Sequence, residues 1–272
     1  MRRGFVTFLS DFGLQDDFVG VCHGVIKRIA PEVEVVDITH GIPPRSVLQG
    51  ALVLANTIPY MPEDSVHLAV VDPGVGGIRR EVALEDVTGR LYVGPDNGLL
   101  LPAIDSRGGV ARAHELTNHE YALPSVSRTF HGRDLFAPAA AYLARGVAVD
   151  ELGPPLDPDA LVRPDLPEPD VGASRIRATI LYVDGFGNIQ LNLTREHLET
   201  VGIVPGVRVE VCMGPERYYA VAARTFSDAR PGDIILYEDA YRRIAVAISR
   251  GSAGAMFGAR SGQELRINLQ PA

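Results

Sequence analysis

A carboxylate, three glycines and two arginines lie close together in the stretch Asp72-Pro73-Gly74-Val75-Gly76-Gly77-Ile78-Arg79-Arg80. Pro73 favours an extended backbone at Asp72, and the glycines allow the backbone to approach a ligand closely. A carboxylate and a guanidinium at this separation can form a fixed charged pair. The stretch is equally compatible with a glycine-rich turn whose arginines are solvated. A phosphate-binding loop is disfavoured, because the Gly-Lys-Ser/Thr ending is missing.

A histidine stands at the start of an apolar helical pattern, in the order Phe130-His131-Gly132-Arg133-Asp134 followed by 135–144. A histidine held at a helix start can act in proton transfer near neutral pH. Most histidines take no part in chemistry, so His131 taken alone favours the non-catalytic interpretation.

The loop Asp184-Gly185-Phe186-Gly187-Asn188 lies between two predicted strands. It is compatible with an ordinary hairpin turn. It is also compatible with a tight loop that presents Asp184 and Asn188 to a ligand, because an asparagine amide can pair with an adenine edge through a donor and an acceptor together.

An acidic residue, Asp11, follows the first predicted strand in the turn-forming sequence Ser10-Asp11-Phe12-Gly13. The cluster is compatible with a plain turn. A carboxylate at a strand end can also bind the two hydroxyls of a ribose, as an acidic residue does in dinucleotide-binding folds. The GxGxxG pattern of those folds is missing here, which disfavours a nicotinamide cofactor.

Strands and helices alternate in the first half of the chain. The apolar runs 5–9, 33–38 and 66–71 predict strands, and apolar residues at helical spacing predict helices after 18 and after Ser46, where Gln49 completes a capping-box pattern. This alternation predicts an α/β domain with a mainly parallel sheet that is covered on both faces. Ligands bind beyond the carboxyl ends of such strands. The following acids and histidine lie at or just after predicted strand ends: Asp11, Asp37, His40 and Asp72.

A change of composition divides the chain. We predict an N-terminal α/β domain over 1–160 and a C-terminal all-β domain over 173–272, with 161–172 within a Pro-rich linker that begins at Gly153. The C-terminal part holds short strand patterns separated by turn residues, which favours a small β-barrel.

The composition limits the class of protein. The chain has 272 residues and a net charge of −8, and this acidic balance argues against non-specific nucleic-acid binding. No apolar stretch has the length of a membrane span, and the N-terminus lacks a signal-peptide pattern, so the cytoplasm is the expected location. Cys22 and Cys212 form neither a CxxC pair nor a zinc-type spacing, and we expect two reduced, buried thiols.

Six segments of the chain, taken in order, resemble the S-adenosylmethionine hydroxide adenosyltransferases, which are related to the adenosyl-fluoride and adenosyl-chloride synthases. The segments are VTFLSDFG at 6–13, VVDITHGIPP at 35–44, VVDPGVGGIRR at 70–80, GPDNGLL at 94–100, TFHGRDLFAPAAA at 129–141 and VDGFGNIQLN at 183–192. Each segment alone is a weak signal, whereas six in the same order across both halves of the chain are strong.

The resemblance implies an N-terminal α/β domain, a C-terminal β-barrel, and a homotrimer whose active sites lie between neighbouring subunits. It also implies that Asp72, Arg79 and His131 are the Asp-Arg-His set with which the hydrolytic branch activates water.

The resemblance further implies the substrate-binding residues. Asp11 matches the residue that holds the ribose hydroxyls, and Asp184 and Asn188 match the groups that meet the methionine amine and the adenine.

The implied activity is hydrolysis of S-adenosylmethionine to adenosine and methionine, by attack of water at ribose C5′. The sulfonium makes methionine a good leaving group, so neither a metal nor a cofactor is expected. Two alternatives stay open, a halide-using synthase and a non-catalytic nucleoside-binding protein. The halogenating branch places small hydroxyl or aliphatic residues around its halide, whereas this chain has Asp72 and His131, which favours water.

Overall fold

The structure is a computed structural model that describes residues 2–269. Its internal contacts divide the chain into two units, Met1–Pro164 and Asp165–Ala272. The division falls inside the Pro-rich stretch 161–172, while the domain bounds 1–160 and 173–272 remain predictions from the sequence. No helix in the described part of the chain is both long enough and apolar enough to cross a membrane.

The first unit is built on a six-stranded sheet within the described residues. Its strands are β1 (Phe5–Ser10), β2 (Glu34–Thr39), β3 (Ser65–Val70), β4 (Glu81–Asp86), β5 (Leu91–Pro95) and β6 (Val110–Glu115). Their spatial order is β2-β1-β3-β5-β4-β6. The first four strands in this order run parallel, and β4 runs antiparallel to both of its neighbours. The mainly parallel sheet predicted from the sequence is therefore confirmed.

Helices cover both faces of this sheet, as predicted. They are α1 (Phe18–Ile29), α2 (Val47–Thr57), α3 (Leu101–Asp105) and α4 (Ala137–Ala144). α1 and α4 share a core with Val6 and Phe8 of β1, whereas α2 and α3 share a core with Leu9 of the same strand. Side chains alternate between the two faces of a strand, so consecutive apolar residues of β1 contribute to opposite cores.

Two local predictions in this unit have different outcomes. Ser46 precedes α2, but its side chain makes no capping hydrogen bond, so the capping box predicted with Gln49 is wrong. Cys22 and Cys212 are free and buried, as predicted. Burial raises the pKa of the Cys22 thiol to about 12, against a smaller opposing effect of Arg133.

The second unit is a β-barrel, as the sequence predicts. Its strands are β7 (Asp170–Val171), β8 (Arg175–Val183), β9 (Ile189–Leu191), β10 (Arg208–Met213), β11 (Glu216–Ala222), β12 (Ile234–Glu238), β13 (Ile244–Ile248) and β14 (Glu264–Leu269). Among residues 165–269, seven of them follow one another as β14-β10-β11-β12-β13-β9-β8, and pairing of β14 with β8 closes the barrel. Two short helices accompany it, α5 (Arg195–Thr200) and α6 (Ala253–Phe257). Closure leaves these seven strands without a free edge.

A buried histidine in the central strand β3 makes the stability of the protein depend on pH. His67 is fully buried, and its Nδ1 lies 2.8 Å from Oγ of Thr7. Burial, aided by the charge of Arg90, lowers the pKa of His67 to about 3. At a pH between this value and the ordinary histidine pKa of about 6.5, the unfolded chain binds a proton at this position and the folded chain does not.

We therefore expect the free energy of unfolding to fall with decreasing pH in this window, by up to about 1.4 kcal/mol per pH unit from His67 alone. Urea denaturation at about pH 7 and about pH 5 measures this dependence in the wild type, in His67→Gln and in the exposed-residue control His119→Gln. His67→Gln should show the weaker dependence on pH, and His119→Gln should match the wild type. Equal pH dependence in all three proteins would refute the assignment.

Candidate functional site

Two acidic residues lie at the carboxyl end of the parallel strands. β1 and β3 are paired neighbours with Ser10 opposite Val70. Asp11 follows β1 directly, and Asp72 comes shortly after β3, so both carboxylates stand at the same edge of the sheet. The backbone N–H of Asp11 donates to the carbonyl of Val70 at 3.4 Å, which ties the two strand ends together.

The Asp72 carboxylate and the Arg79 guanidinium form a fixed, buried pair. Nε of Arg79 lies 3.0 Å from each carboxylate oxygen, and Nη2 lies 2.5 Å from Oδ2. The two side chains are only 10% (Arg79) and 5% (Asp72) exposed. Burial acts to lower the pKa of Arg79, but the hydrogen bonds and charges of Asp72 and then Glu81 outweigh it and raise the pKa. For Arg79 the charged-pair interpretation is therefore confirmed over a solvated arginine.

The glycine-rich loop before Arg79 packs against another part of the chain. Gly76 has φ +72°, and a Cβ at this position would lie 2.2 Å from the carbonyl oxygen of Arg128. A side chain fits neither that conformation nor that space. The glycine therefore allows the loop to contact the backbone just before His131, an approach to the chain itself that the sequence did not predict.

His131 precedes a π-helical turn, Gly132–Phe136, that continues into α4. The helix predicted to begin at 135 therefore begins earlier, at Gly132, and its first turn is a π-helix. Asp134 in this turn is fully buried, is paired with Arg133, and accepts a bond from the Ser127 N–H at 2.8 Å. Such π-turns inside helices are frequent at functional sites, and here the turn fixes the backbone that carries His131.

The His131 ring contacts the charged pair through Nδ1, which lies 3.0 Å from Nη2 of Arg79. An arginine only donates, so Nδ1 can accept this bond only in the neutral tautomer that carries the ring proton on Nε2. The same Nδ1 lies 2.9 Å from Oε1 of Glu81, which would accept from a protonated ring. Nδ1 therefore has a donor, Arg79, and an acceptor, Glu81, within hydrogen-bonding distance, and the tautomer of the ring decides which of them it bonds.

Glu81 is the residue of this cluster that the sequence analysis missed. Its Oε1 lies 2.5 Å from Nη1 of Arg79 and also meets His131. Glu81 begins β4, a strand that was not predicted, so the direction of its side chain was not predicted either. The signal available in the sequence was the alternation of side-chain direction along an extended chain. Arg79 and Glu81 lie on one side, whereas Arg80 lies on the other side and binds Asp96 at 2.6 Å.

A backbone hydrogen bond fixes the Asp11 carboxylate at the same edge of the sheet. Its Oδ2 accepts from the backbone N–H of Arg45 at 2.8 Å. Arg45 has φ +68°, a conformation that is uncommon outside glycine. Uncommon backbone conformations of this kind concentrate at ligand-binding sites, and this one aims a donor at the Asp11 carboxylate.

In the second unit, Asp184 and Asn188 lie in one tight loop. The Asp184 carboxylate accepts from the N–H groups of Phe186 and Asn188, both at 2.9 Å, and from the Asn188 amide at 2.8 Å. Gly187 has φ +84°, and a Cβ there would lie 2.0 Å from Oγ of Ser252. Asp184 therefore shapes the loop that presents Asn188.

A cavity of about 560 Å³ adjoins this loop. Its walls are formed by Phe186, Asn188, Phe226, Ile248, Arg250 and Gly251. Two aromatic rings, one amide and one guanidinium are suited to a flat, hydrogen-bonding ligand. The loop was predicted from the sequence but Phe226 and Arg250 were not, because both are distant from the loop in sequence and meet it only in the folded unit.

The structure thus groups the six predicted site residues within their own units. In the first unit Arg79 contacts both Asp72 and His131, and Asp11 lies at the same sheet edge as Asp72. Asp184 and Asn188 are in contact in the second unit.

Comparisons with known proteins cover both units. Residues 6–153 match the SAM hydroxide adenosyltransferase N-terminal domain, and residues 178–266 match its C-terminal domain. The chain is 45% identical to the (R)-S-adenosyl-L-methionine hydrolase of Salinispora tropica, over 97% of each protein. It is 27% identical to the fluorinase of Nocardia brasiliensis, over 98% of each. It is also similar to the crystal structure of an uncharacterized conserved protein from Thermotoga maritima, with a TM-score of 0.89 and 32% identity over 97% of this chain and 99% of that one.

The geometry of the cluster predicts a large difference between two arginine substitutions. Arg79→Met leaves the buried Asp72 carboxylate without its cation, and we expect a loss of about 3 kcal/mol in unfolding free energy. The control Arg112→Met removes the partner of Glu85 from a pair whose arginine is 51% exposed, and we expect a loss below about 1 kcal/mol. Chemical denaturation of both variants measures the difference, and equal losses would contradict the buried-pair interpretation.

Proposed function

The chain belongs to the SAM hydroxide adenosyltransferase family, and on that basis we propose that it hydrolyses S-adenosyl-L-methionine to adenosine and L-methionine. The observation that carries this proposal is the buried contact among Asp72, Arg79 and His131. The relatives point the same way, because identity to a named hydrolase is 45% and identity to a named fluorinase is 27%.

The reaction is a substitution at ribose C5′. The oxygen of water forms a bond to C5′ while the bond from C5′ to sulfur breaks. The electron pair stays on sulfur, which turns the sulfonium into the neutral thioether of methionine, and the attacking water loses a proton. Because the leaving group is already activated by its charge, we propose that no metal and no cofactor takes part, and that turnover survives treatment with a chelator.

Asp72 is proposed to bind the attacking water and to accept its proton. A carboxylate has about four lone-pair sites, so acceptor capacity remains beside the bonds from Arg79. The bonds from the Arg79 guanidinium fix the direction of the carboxylate. Holding water in line with the C5′–S bond supplies a large part of the acceleration, up to ~7–11 kcal/mol in the most favourable small-molecule systems.

His131 is proposed to hold the same water from a second direction. When Nδ1 accepts from Arg79, the ring proton is on Nε2, and this N–H can donate to the water oxygen. Glu81 offers an acceptor at Nδ1 if the ring becomes protonated. His131 is then a donor to the nucleophile, with Glu81 as a positioning residue behind it.

The remaining predicted residues are proposed to bind the nucleoside and the methionine. Asp11 would bind the ribose hydroxyls through the acceptor sites not used by Arg45. Asn188 would pair with the adenine edge in the cavity beside Phe186 and Phe226. Asp184 would use its remaining acceptor capacity for the methionine amine.

A halide-using synthase is disfavoured by the charge of the cluster. Two carboxylates, Asp72 and Glu81, surround one guanidinium, so a halide ion would enter a site with an excess of negative charge. Neutral water meets no such repulsion.

The central test is the isosteric substitution Asp72→Asn. We expect a fall in kcat of about 10²–10⁴-fold, the usual effect of losing a positioned acid or base, measured by chromatography of adenosine released from S-adenosyl-L-methionine. The exposed control Asp105→Asn should retain wild-type turnover. Near wild-type turnover by Asp72→Asn would remove Asp72 from the chemistry.

The same assay separates the alternatives in the wild type. Adenosine should form at the same rate with and without added chloride. A chlorinated nucleoside that appears only with chloride would establish a synthase, and binding of adenosine without any turnover would establish a nucleoside-binding protein.

We further propose that the active protein is a homotrimer with sites shared between neighbouring subunits. The family resemblance supports this assembly, and so does the distribution of candidate residues over both units. The cytoplasmic location expected from the sequence remains a prediction.

A mixing experiment tests the shared site. Asp72→Ala and Asn188→Ala proteins, each expected to be inactive, are dissociated together and reassembled. Partial activity should return, because some neighbours then combine an intact first unit with an intact second unit. Each variant reassembled alone is the control. Activity that stays absent in the mixture would show that each site lies within one chain.

A further inference from the structure

Three side chains outside the proposed reaction meet beside the end of β2. His23 comes from α1, Asp37 from β2, and His40 from the residue after β2. Nε2 of His23 and Nε2 of His40 lie 2.9 Å and 3.0 Å from the same oxygen, Oδ1 of Asp37. All three atoms lie within 4.8 Å of one another. We call these residues the His-Asp-His cluster.

The His40 side chain is 2% exposed, and within residues 2–269 its Nε2 has no hydrogen-bond partner. Asp37 is close to Nε2 but not in the geometry of a hydrogen bond. A buried polar atom without a partner is costly. The atom is aimed into the cluster, where a ligand would satisfy it.

The other side of the His40 ring is held in place. Its Nδ1 lies 2.7 Å from Oγ of Ser10, and the ring packs on Phe8 with centroids 4.6 Å apart. If Nδ1 donates to Ser10, Nε2 presents a lone pair toward the Asp37 carboxylate. Two electron-rich atoms 3.0 Å apart repel each other unless a cation lies between them. Histidines that bind metals usually donate from the other ring nitrogen in this way.

We propose that the His-Asp-His cluster binds a divalent first-row transition-metal ion of the Zn²⁺ class. Two imidazoles and one carboxylate suit such an ion, whereas Ca²⁺ and Mg²⁺ prefer oxygen ligands throughout. Each nitrogen lies about 3 Å from Oδ1 of Asp37, and the three donor atoms lie within 4.8 Å of one another, so small side-chain movements would bring them to the ligand distances of about 2.0–2.1 Å around one tetrahedral Zn²⁺. His23 and Asp37 are 32% and 40% exposed, so solvent reaches the fourth position.

The site lies next to the proposed ribose-binding residue without sharing its ligands. Ser10, which holds His40, directly precedes Asp11, and the His40 carbonyl accepts from the N–H of Gly13 at 2.8 Å. A bound ion would therefore stiffen the turn that carries Asp11. It takes no step in the proposed hydrolysis, and it departs from the expectation from sequence that the chain holds no metal.

The test is zinc binding by the full chain after removal of metal with a chelator. Calorimetric titration with Zn²⁺ should give one tight site per wild-type chain. His23→Gln should weaken binding by roughly 100-fold, at least the loss seen when outer partners of a metal site are removed. The matched control His119→Gln, on an exposed histidine, should bind as the wild type does.

A second readout uses Co²⁺, whose visible absorption is strong when four ligands surround it. The wild type should show these bands and His23→Gln should lose them. His23 lies on a helix surface and glutamine is a good helix former, so circular dichroism should show an unchanged fold; Asp37→Asn provides a second variant if it does not. Absence of zinc binding by the wild type, or equal losses in His23→Gln and His119→Gln, would overturn the proposal.

Discussion

The guanidinium of Arg79 joins three parts of the first unit that are separate in sequence. It binds Asp72 after β3, Glu81 at the start of β4, and His131 before the π-helical turn. Arginine suits this position because its planar fork offers several donors in fixed directions. Removing the cation would leave a buried carboxylate and reorient the histidine, so local stability and the proposed chemistry depend on the same interaction.

The sheet supplies the other half of this arrangement. Parallel neighbouring strands end at one edge of the sheet. The pairing of β1 with β3 therefore places Asp11 and Asp72 at the same edge, and no contact between their side chains is needed. The glycine loop and the π-helical turn then complete the cluster, because Gly76 lets the loop reach Arg128 just before His131. The positions of the charged groups therefore follow from the backbone geometry and not from their mutual attraction alone.

The sequence predicted those features that depend on local patterns. Apolar runs and apolar periodicity predicted β1, β2, β3, α1 and most of the barrel strands, whereas the spacing of Asp72 and Arg79 was equally compatible with a charged pair and with a solvated arginine. Glu81 was missed because no strand was predicted after Arg80, although β4 and β5 form a hairpin whose turn contains Gly89 at φ +86°. The prediction that Ser46 caps α2 was wrong, because its side chain makes no capping hydrogen bond to the helix. The barrel was predicted as a class, but the closing pair of β8 and β14 depends on contacts between distant residues.

The charge of the cluster also connects the fold to the choice of nucleophile. Asp72 and Glu81 together exceed the single charge of Arg79 when His131 is neutral, so the site carries a net negative charge. In the proposed site, this charge would attract the sulfonium of the substrate and repel a halide. At about 4 Å and an effective dielectric constant of about 20, one such pair of like charges costs about 4 kcal/mol. The guanidinium offsets the charge of one carboxylate and leaves the charge of the other uncompensated. A penalty of that size corresponds to roughly a thousandfold preference against the anion. Water carries no charge and can donate to the same carboxylate, so in the proposed reaction the arrangement that stabilises Arg79 in the interior also favours water as the nucleophile.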